Sequence, residues 1–267
     1  MTNIPPIPVL KAETMRLRQG KRQRTCILGG SGGIGRGLVA ACLERGDEVV
    51  VLDLAASMDR HPPPSDVFAV SVDGRSETSV REAFAAVESR WGAIDGFVNL
   101  SGFMVAMEPL AKMSAEAFDA TIEGNLRTTF LACNAAMLLL ERSDAGSLVN
   151  IASGLAQFVR PNYGPYAASK AGMIALTKTL ALEHAPRVRA NVVAPGAVDT
   201  AFLRGGTGRS NENGTTTLDI AAYSAMIPLK RIGAVADIVG PIMFLLGSES
   251  RYMTGQTLWV NGGAYMP

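Results

Sequence analysis

Short apolar runs alternate along most of the chain with longer segments whose apolar positions recur at helical spacing. The short runs are rich in β-branched residues and predict strands near residues 25–29, 48–53, 67–72, 95–100, 147–152, 188–194 and 257–260. The longer segments predict helices near 34–45, 76–91, 114–142 with a break near Gly124, 164–185 and 235–247. This alternation predicts an α/β fold in which helices cover both faces of a parallel sheet of about seven strands, giving three layers.

Two segments depart from this pattern. Residues 1–23 contain three prolines, five Lys or Arg residues and one acid, Glu13, and predict a surface arm, with a targeting peptide as the alternative. Residues 201–227 include a polar stretch rich in Gly, Asn and Thr that is too long for a plain connection. It predicts a mobile lid over a substrate, and the alternative is a surface excursion without a gating role.

Composition narrows the classes of protein. With 48% hydrophobic residues the chain can fill a large interior, and a formal net charge of +1 gives no reason to expect a nucleic-acid partner. No apolar run is long enough to predict a membrane span. Cys26, Cys42 and Cys133 fall inside predicted elements, which indicates buried reduced thiols and a cytoplasmic protein.

A glycine-rich turn lies between the first predicted strand and helix. It reads Gly-Gly-Ser-Gly-Gly-Ile-Gly from Gly29 to Gly35, and glycines allow the backbone to approach a ligand closely. The N-terminus of the following helix offers free N–H groups to a pyrophosphate. Asp53 ends the second predicted strand about 20 residues further on, where a carboxylate can bind the ribose hydroxyls of a dinucleotide.

Tyr166 and Lys170 are one helical turn apart, and Ser153 ends an apolar run upstream of them. Residues four apart share a helix face, so the ammonium of Lys170 can lie beside the phenol of Tyr166 and lower its pKa from about 10. Ser153 can hold a substrate oxygen. The three residues therefore predict general acid–base chemistry, although the spacing alone also fits a solvated helix face.

Together these motifs resemble the short-chain dehydrogenase/reductase family. Gly29, Gly33 and Gly35 match its glycine turn, although Leu28 replaces the usual threonine. In Val-Asn-Leu-Ser-Gly, Asn99 and Gly102 match a second family motif, whereas the residues between them differ. The resemblance implies a Rossmann-like, doubly wound catalytic domain over residues 24–267 that transfers a hydride between a nicotinamide cofactor and a secondary alcohol or ketone.

The resemblance also implies roles for individual residues. The implied catalytic residues are Asn125, Ser153, Tyr166 and Lys170, with Asn125 ordering a water in a proton relay. The implied cofactor-binding residues are Gly29, Ser31, Gly33, Ile34, Gly35, Asp53, Leu54, Asp73, Asn99, Ser101, Gly102, Tyr166, Lys170, Pro195, Gly196, Val198 and Thr200. Substrate contacts are expected from Ser153, Gln157, Phe158, Tyr163 and Phe202.

Charge favours NAD(H) over NADP(H), because Asp53 would repel a 2′-phosphate. No His, Cys or carboxylate cluster has metal-ligand spacing, so no metal is expected. Residues 126–140 and 166–182 are apolar on most faces, which indicates packing against a second subunit, and the family builds a dimer or tetramer on those two helices.

Two other functions fit parts of the sequence. The run Gly29 to Gly33 also satisfies the Gly-x-Ser-x-Gly pattern of serine hydrolases, with Ser31 as nucleophile. The chain has only two histidines, His61 and His184, and neither follows the late strand where such a hydrolase keeps its base. The second alternative is a nonenzymatic dinucleotide sensor on the same fold.

Overall fold

Seven parallel strands form one sheet in the computed structural model. They are β1 (Arg24–Leu28), β2 (Glu48–Asp53), β3 (Phe68–Ser71), β4 (Gly96–Asn99), β5 (Gly146–Ile151), β6 (Val188–Pro195) and β7 (Thr257–Val260). Their spatial order is β3-β2-β1-β4-β5-β6-β7, and every neighbouring pair is parallel. The structure describes residues 22–104, 107–206, 210, 212, 214–216 and 218–266. All seven predicted strands are confirmed.

The described residues form eight α-helices. They are α1 (Gly33–Arg45), α2 (Ala55–Arg60), α3 (Glu77–Trp91), α4 (Ala115–Ile122), α5 (Thr128–Leu140), α6 (Gly164–Glu183), α7 (Ile220–Met226) and α8 (Val235–Leu246). The predicted break near Gly124 is a π-helical turn, Glu123–Arg127, that joins α4 to α5. The sequence analysis missed α2 and α7, because helices of six and seven residues are too short to show helical periodicity.

The strands divide their side chains between two buried layers. Cys26 and Leu28 of β1 face a core completed by Phe84 of α3 and by α5, whereas Ile27 faces Leu38 of α1 and Ile242 of α8. Side chains alternate across a strand, so a sheet covered on both faces needs apolar residues at consecutive positions. The predicted three-layer arrangement with helices on both faces is confirmed.

The strand order places a crevice at the carboxyl ends of β1 and β4. From β1 the chain moves outward through β2 and β3 in one direction, and then returns to place β4 on the other side of β1. The connections therefore diverge at this point, and open α/β sheets bind ligands in the crevice that results. Leu28 is in register with Leu52 and Asn99, so the glycine turn, Asp53 and the loop after Asn99 meet at one edge.

Some predictions fall partly on residues that the structure does not describe. Residues 1–21 of the predicted arm lie outside the described residues, as do residues 207–209, 211, 213 and 217 of the predicted lid. Of that lid, a 3₁₀ turn (Ala201–Arg204) and α7 are described. Within the described ranges, no helix combines the length and apolarity needed to cross a bilayer.

Candidate active site

The glycine turn is held in a tight conformation by its own backbone. Gly29 has φ of 85°, a left-handed conformation that favours glycine. A Cβ on Gly35 would lie only 2.7 Å from the Gly30 Cα and would also strike the carbonyl oxygen of Gly29. The absence of side chains therefore lets the first turn of α1 fold back against the end of β1, leaving the helix N-terminus open to the crevice.

A hydrogen bond holds the side chain of Asp53 against this turn. Its Oδ2 accepts a hydrogen bond from the Ser31 N–H (2.9 Å), and its Oδ1 accepts one from the Leu54 N–H (2.8 Å). Burial raises the pKa of Asp53 above its usual value, while these hydrogen bonds oppose the rise. The carboxylate is thus oriented by two backbone donors at the end of β2.

A cavity of about 700 Å³ runs from this turn to Tyr166. A volume of this size is typical of sites for small molecules and cofactors. Among the residues predicted to contact cofactor or substrate, those on the cavity wall are Gly29, Ser31, Gly33, Ile34, Gly35, Asp53, Leu54, Ser101, Gly102, Ser153, Phe158, Tyr163, Tyr166, Lys170, Pro195, Gly196, Val198, Thr200 and Phe202. Four predicted site residues do not line it: Asp73, Asn99, Asn125 and Gln157.

Two of these four residues, Asn99 and Asn125, form hydrogen bonds with residues of the cavity wall but do not line the cavity themselves. The buried Asn99 side chain accepts hydrogen bonds from the N–H and hydroxyl of Ser101 and donates to the side chains of Thr129 and Asn150. Asn125, in the π-helical turn, donates from Nδ2 to the carbonyl oxygens of Phe103 (2.7 Å) and Thr121 (2.8 Å). Both amides therefore hold wall-forming loops in place.

Asp73 and Gln157 are placed differently. The Asp73 carboxylate accepts from the Arg75 N–H at 3.0 Å and pairs with its guanidinium, and the neighbours Val72, Gly74 and Arg75 line the cavity instead. Gln157 is exposed just after the 3₁₀ turn that follows Ser153. The ligand contacts expected for Asp73 and Gln157 therefore stay predictions.

Tyr166, Lys170 and Ser153 meet at the other end of the cavity. Ser153 and Tyr166 both line the cavity, and the Ser153 hydroxyl is close enough to Tyr166 to influence its pKa. The Lys170 Nζ donates to the Ile151 carbonyl oxygen at 2.8 Å and lies 5.8 Å from the centroid of the Tyr166 ring. The predicted cluster of an acid, a hydroxyl and a cation is present.

The predicted effect of Lys170 on Tyr166 is wrong for this structure. Burial raises the pKa of Tyr166 to about 12, while the hydrogen bond with Ser153 opposes that rise. Burial also lowers the pKa of Lys170 to about 7. Helical spacing brings the two side chains together, but it does not reveal that both are buried, and burial penalises the charged form of each.

The fit of a dinucleotide can be tested at the glycine turn. Ser31 is 2% exposed, and its buried Oγ makes no hydrogen bond within the described part of the chain. Such a hydroxyl beside a helix N-terminus is positioned to bind a phosphate oxygen. Across the cavity, a Cβ on Gly33 would come within 2.9 Å of the Thr200 side chain, so the walls are close enough to enclose a narrow ligand.

Neither histidine activates Ser31. His61 contacts Arg36 and Glu212, and His184 contacts Glu141 at 2.8 Å. Because no described residue hydrogen-bonds to the Ser31 hydroxyl, the described structure offers no base to activate Ser31 as a nucleophile. The geometry therefore gives the hydrolase alternative no support.

Among the cavity-wall side chains that the sequence analysis missed are Arg160, Tyr223 and Tyr265. Tyr265 follows β7, near the end of the chain, and reaches back so that a Cβ on Gly154 would be 2.8 Å from its hydroxyl oxygen. Residues so far apart in sequence show no local spacing that would connect them. Only their approach in the folded chain identifies them.

Comparisons with known proteins agree with this geometry. A family model described as "Enoyl-(Acyl carrier protein) reductase" matches residues 29–265. The chain is 31% identical to a 3-oxoacyl-(acyl-carrier-protein) reductase FabG of Staphylococcus epidermidis, with 90% of this chain and 98% of the relative covered. It is 32% identical to a 2-(R)-hydroxypropyl-CoM dehydrogenase of Xanthobacter autotrophicus, covering 90% and 96%.

Solved structures of dehydrogenases are also similar to this chain. The ligand-free aldohexose dehydrogenase of Thermoplasma acidophilum superposes with a TM-score of 0.81 at 26% identity, covering 92% of this chain and 96% of that one. A short-chain dehydrogenase/reductase from Brucella melitensis, titled a glucose/ribitol dehydrogenase, gives 0.79 at 30% identity, covering 92% and 97%. The chain belongs to the short-chain dehydrogenase/reductase family of nicotinamide-dependent oxidoreductases.

Proposed function

We propose that this protein transfers a hydride between NAD(H) and a secondary alcohol or ketone, with Tyr166 as the general acid or base. One observation carries the proposal: Ser153, Tyr166 and Lys170 meet at one end of a cavity whose other end is the glycine turn. A dinucleotide lying along this cavity would bring its reactive ring toward the phenol of Tyr166.

The nicotinamide would supply the hydride acceptor or donor. Ser153 and Tyr166 line the same end of the cavity, so a carbonyl oxygen entering it could accept from both hydroxyls. The raised pKa of Tyr166 keeps the phenol protonated at neutral pH, so that it could donate a proton to an oxygen that develops negative charge in the reduction direction. Lys170, with a pKa of about 7, can gain or lose a proton near neutral pH. It could therefore return a proton to Tyr166 after Tyr166 has donated its own.

Asn125 enters the proposal as a positioning residue. Its amide binds both backbone groups of Phe103, and its carbonyl oxygen accepts from the Thr129 hydroxyl at 2.7 Å. These contacts stabilise the π-helical turn beside Gly102, where an added Cβ would be 2.8 Å from the Asn125 Oδ1 and 3.0 Å from the Lys170 Nζ. The water-ordering role expected from the family stays a prediction.

The preference for NAD(H) is part of the proposal. Asp53 lines the cavity with its carboxylate oriented by Ser31 and Leu54, where it can accept from ribose hydroxyls. Two arginines, Arg36 and Arg75, also line the cavity, but Arg36 contacts the His61 ring and Arg75 pairs with Asp73. The negative charge of Asp53 would repel the 2′-phosphate of NADP(H).

A homo-oligomer is also proposed. Phe130 and Leu138 of α5 are 53% and 62% exposed, and Leu182 of α6 is 84% exposed. These are the two helices that are apolar on most faces, and exposed apolar side chains on neighbouring helices favour burial against another subunit. Sedimentation of the purified protein would distinguish a monomer from a dimer or tetramer.

The reaction is tested by Tyr166→Phe, which removes the hydroxyl and keeps the ring. We expect kcat for ketone reduction to fall at least about 100-fold, while the Kd for NADH changes less than about threefold. Tyr252→Phe is the matched control, because Tyr252 is fully exposed and should leave both values unchanged. A Tyr166→Phe variant that keeps the wild-type rate would refute the assignment, and wild-type protein that binds NADH but reduces no ketone would favour a sensor.

A further inference from the structure

One wall of the cavity carries side chains that the proposed hydride transfer does not use. Phe158, Arg160, Tyr223 and Tyr265 all line the cavity, and they contact one another. The Phe158 and Tyr265 rings stack with centroids 5.5 Å apart and an interplanar angle of 5°. The Arg160 guanidinium carbon lies 5.9 Å from the centroid of Phe158 and 5.5 Å from that of Tyr223. We call these four residues the aromatic–arginine wall.

Arg160 brings a positive charge to this wall. Among the described residues, no carboxylate lies within salt-bridge distance of its guanidinium, whereas the cavity-lining Arg75 and Arg204 pair with Asp73 and Asp199. An arginine stacked on aromatic rings is held in position while its N–H groups remain available to an anion. The charge of Arg160 is therefore oriented and not neutralised.

Tyr265 brings a hydrogen-bond donor without an acceptor. Its hydroxyl oxygen is buried and makes no hydrogen bond within the described chain. The neighbouring amide of Asn261 is committed to backbone groups, because it donates to the Tyr265 carbonyl oxygen (3.0 Å) and accepts from the Gly263 N–H (2.8 Å). Burial raises the pKa of Tyr265, although the nearby Asn261 side chain opposes the rise, so the phenol keeps its proton at neutral pH. A buried donor left unpaired is costly unless a ligand satisfies it.

The position of Tyr265 links this wall to the reacting atoms. Its hydroxyl lies against Gly154, the residue that follows Ser153. A group bound by Tyr265 would thus be close to a carbonyl oxygen held by Ser153 and Tyr166. The wall and the catalytic hydroxyls can contact the same small molecule.

We propose that the substrate is a ketone or alcohol that carries an anionic group, bound by the guanidinium of Arg160 and the hydroxyl of Tyr265. This inference rests on the proposed hydride transfer and names the substrate class for it. A carboxylate, a phosphonate and a sulfonate share the required chemistry: oxygen acceptors with negative charge. In the reduction, NADH would supply a hydride to the carbonyl carbon and Tyr166 would supply a proton to the oxygen, and the anionic group would be unchanged.

Acetoacetate and its methyl ester test the proposal. Both present the same ketone, but only the acid carries a charge. For the wild-type protein with NADH, we expect kcat/KM to be about tenfold or more higher for acetoacetate, as one charge-assisted contact provides. The compounds 2-oxopropylphosphonate and 2-oxopropanesulfonate determine which anion is preferred. Equal kcat/KM values for the acid and the ester would overturn the inference and leave the proposed redox function intact.

Three variants test which side chains cause the preference for the acid over the ester. Arg160→Gln should remove most of the preference for the acid and change kcat/KM for the ester less than about threefold. Tyr265→Phe should reduce the preference by a smaller factor, because it removes a neutral donor. Arg204→Gln, which removes a cavity cation already paired with Asp199, should leave the acid-to-ester ratio unchanged. A ratio that survives Arg160→Gln would overturn the assignment.

Binding without turnover separates this inference from the redox proposal. Tyr166→Phe saturated with NADH can be titrated calorimetrically with acetoacetate, alone and combined with Arg160→Gln. Tighter binding of the acid than of the ester that depends on Arg160 would support the wall, even if the wild-type protein reduced neither compound and the redox proposal failed. Binding of the acid that is absent or independent of Arg160 would overturn the inference.

Discussion

The two ends of the cavity are built in different ways. At the glycine turn, the cavity wall is formed mainly by glycines, Ser31 and Asp53, all from the β1–α1–β2 unit. At the other end, the wall consists of side chains from loops and helices far apart in the chain, including Phe158, Phe202, Tyr223 and Tyr265. A site built mainly from backbone suits a ligand that many enzymes share. A wall built from loop and helix side chains can differ between related enzymes, so that each accepts a different substrate while the glycine turn stays the same.

The two ends of the cavity also differ in the groups that surround their titratable side chains. At the glycine turn, burial raises the pKa of Asp53, but two backbone N–H groups oppose the rise and stabilise the carboxylate. At the catalytic end, burial moves the pKa of both Tyr166 and Lys170 toward their neutral forms. The first end therefore offers backbone donors to a carboxylate, whereas burial at the second end favours the neutral forms of both titratable side chains.

The largest expected effect is at the glycine turn, with Gly35→Ala. The new Cβ would strike backbone atoms of Gly29 and Gly30, which cannot move aside as a side chain could. We expect NADH to bind about 100-fold more weakly, equivalent to about 3 kcal/mol, because the turn must shift. The Kd can be measured by NADH fluorescence. Gly240→Ala is the control, since its Cβ would meet nothing within 4 Å; wild-type affinity in Gly35→Ala would contradict the role of this turn.

The next effect concerns the catalytic end and appears as a pH dependence of stability. The pKa of Lys170 is lowered from 10.5 to about 7, so between these values the unfolded chain binds more protons than the folded one. This group therefore makes stability rise with pH across that window. Lys170→Met should flatten the rise, giving a difference of about 2 kcal/mol between pH 7 and 9 in denaturant unfolding. Parallel pH profiles for the two proteins would show that Lys170 is not buried as described.

A smaller effect is expected for cofactor choice. Asp53→Asn keeps a polar side chain and removes the charge that would repel a 2′-phosphate. We expect the NADPH-to-NADH ratio of kcat/KM to rise about tenfold, a change of about 1.4 kcal/mol. Asp59→Asn removes an exposed carboxylate nearby and controls for net charge. An unchanged ratio in Asp53→Asn would count against its ribose role.

The smallest effect concerns Tyr265. Because its buried hydroxyl has no hydrogen-bond partner among the described residues, Tyr265→Phe should stabilise the ligand-free protein by about 1 kcal/mol. Thermal unfolding without ligand would show the gain as a higher Tm, and Tyr252→Phe, on an exposed side chain, should show none. A lower Tm for Tyr265→Phe would mean that the hydroxyl already has a partner.

The sequence alone determined the seven strands, the main helices, the glycine turn with Asp53, and the pairing of Tyr166 with Lys170. These features depend on periodicity, on glycine content or on one helical turn, and such local relations can be recognised without knowing the fold. The tertiary structure decided that Asn99 and Asn125 support the wall from behind and that Asp73 pairs with Arg75.

It also decided the direction of the Tyr166 pKa shift and the approach of Tyr265 and Arg160 to the cavity. Each of these outcomes depends on burial or on contacts between distant segments. Burial sets the cost of charge, and chain folding sets which distant side chains share a wall, so neither can be recognised from residue spacing.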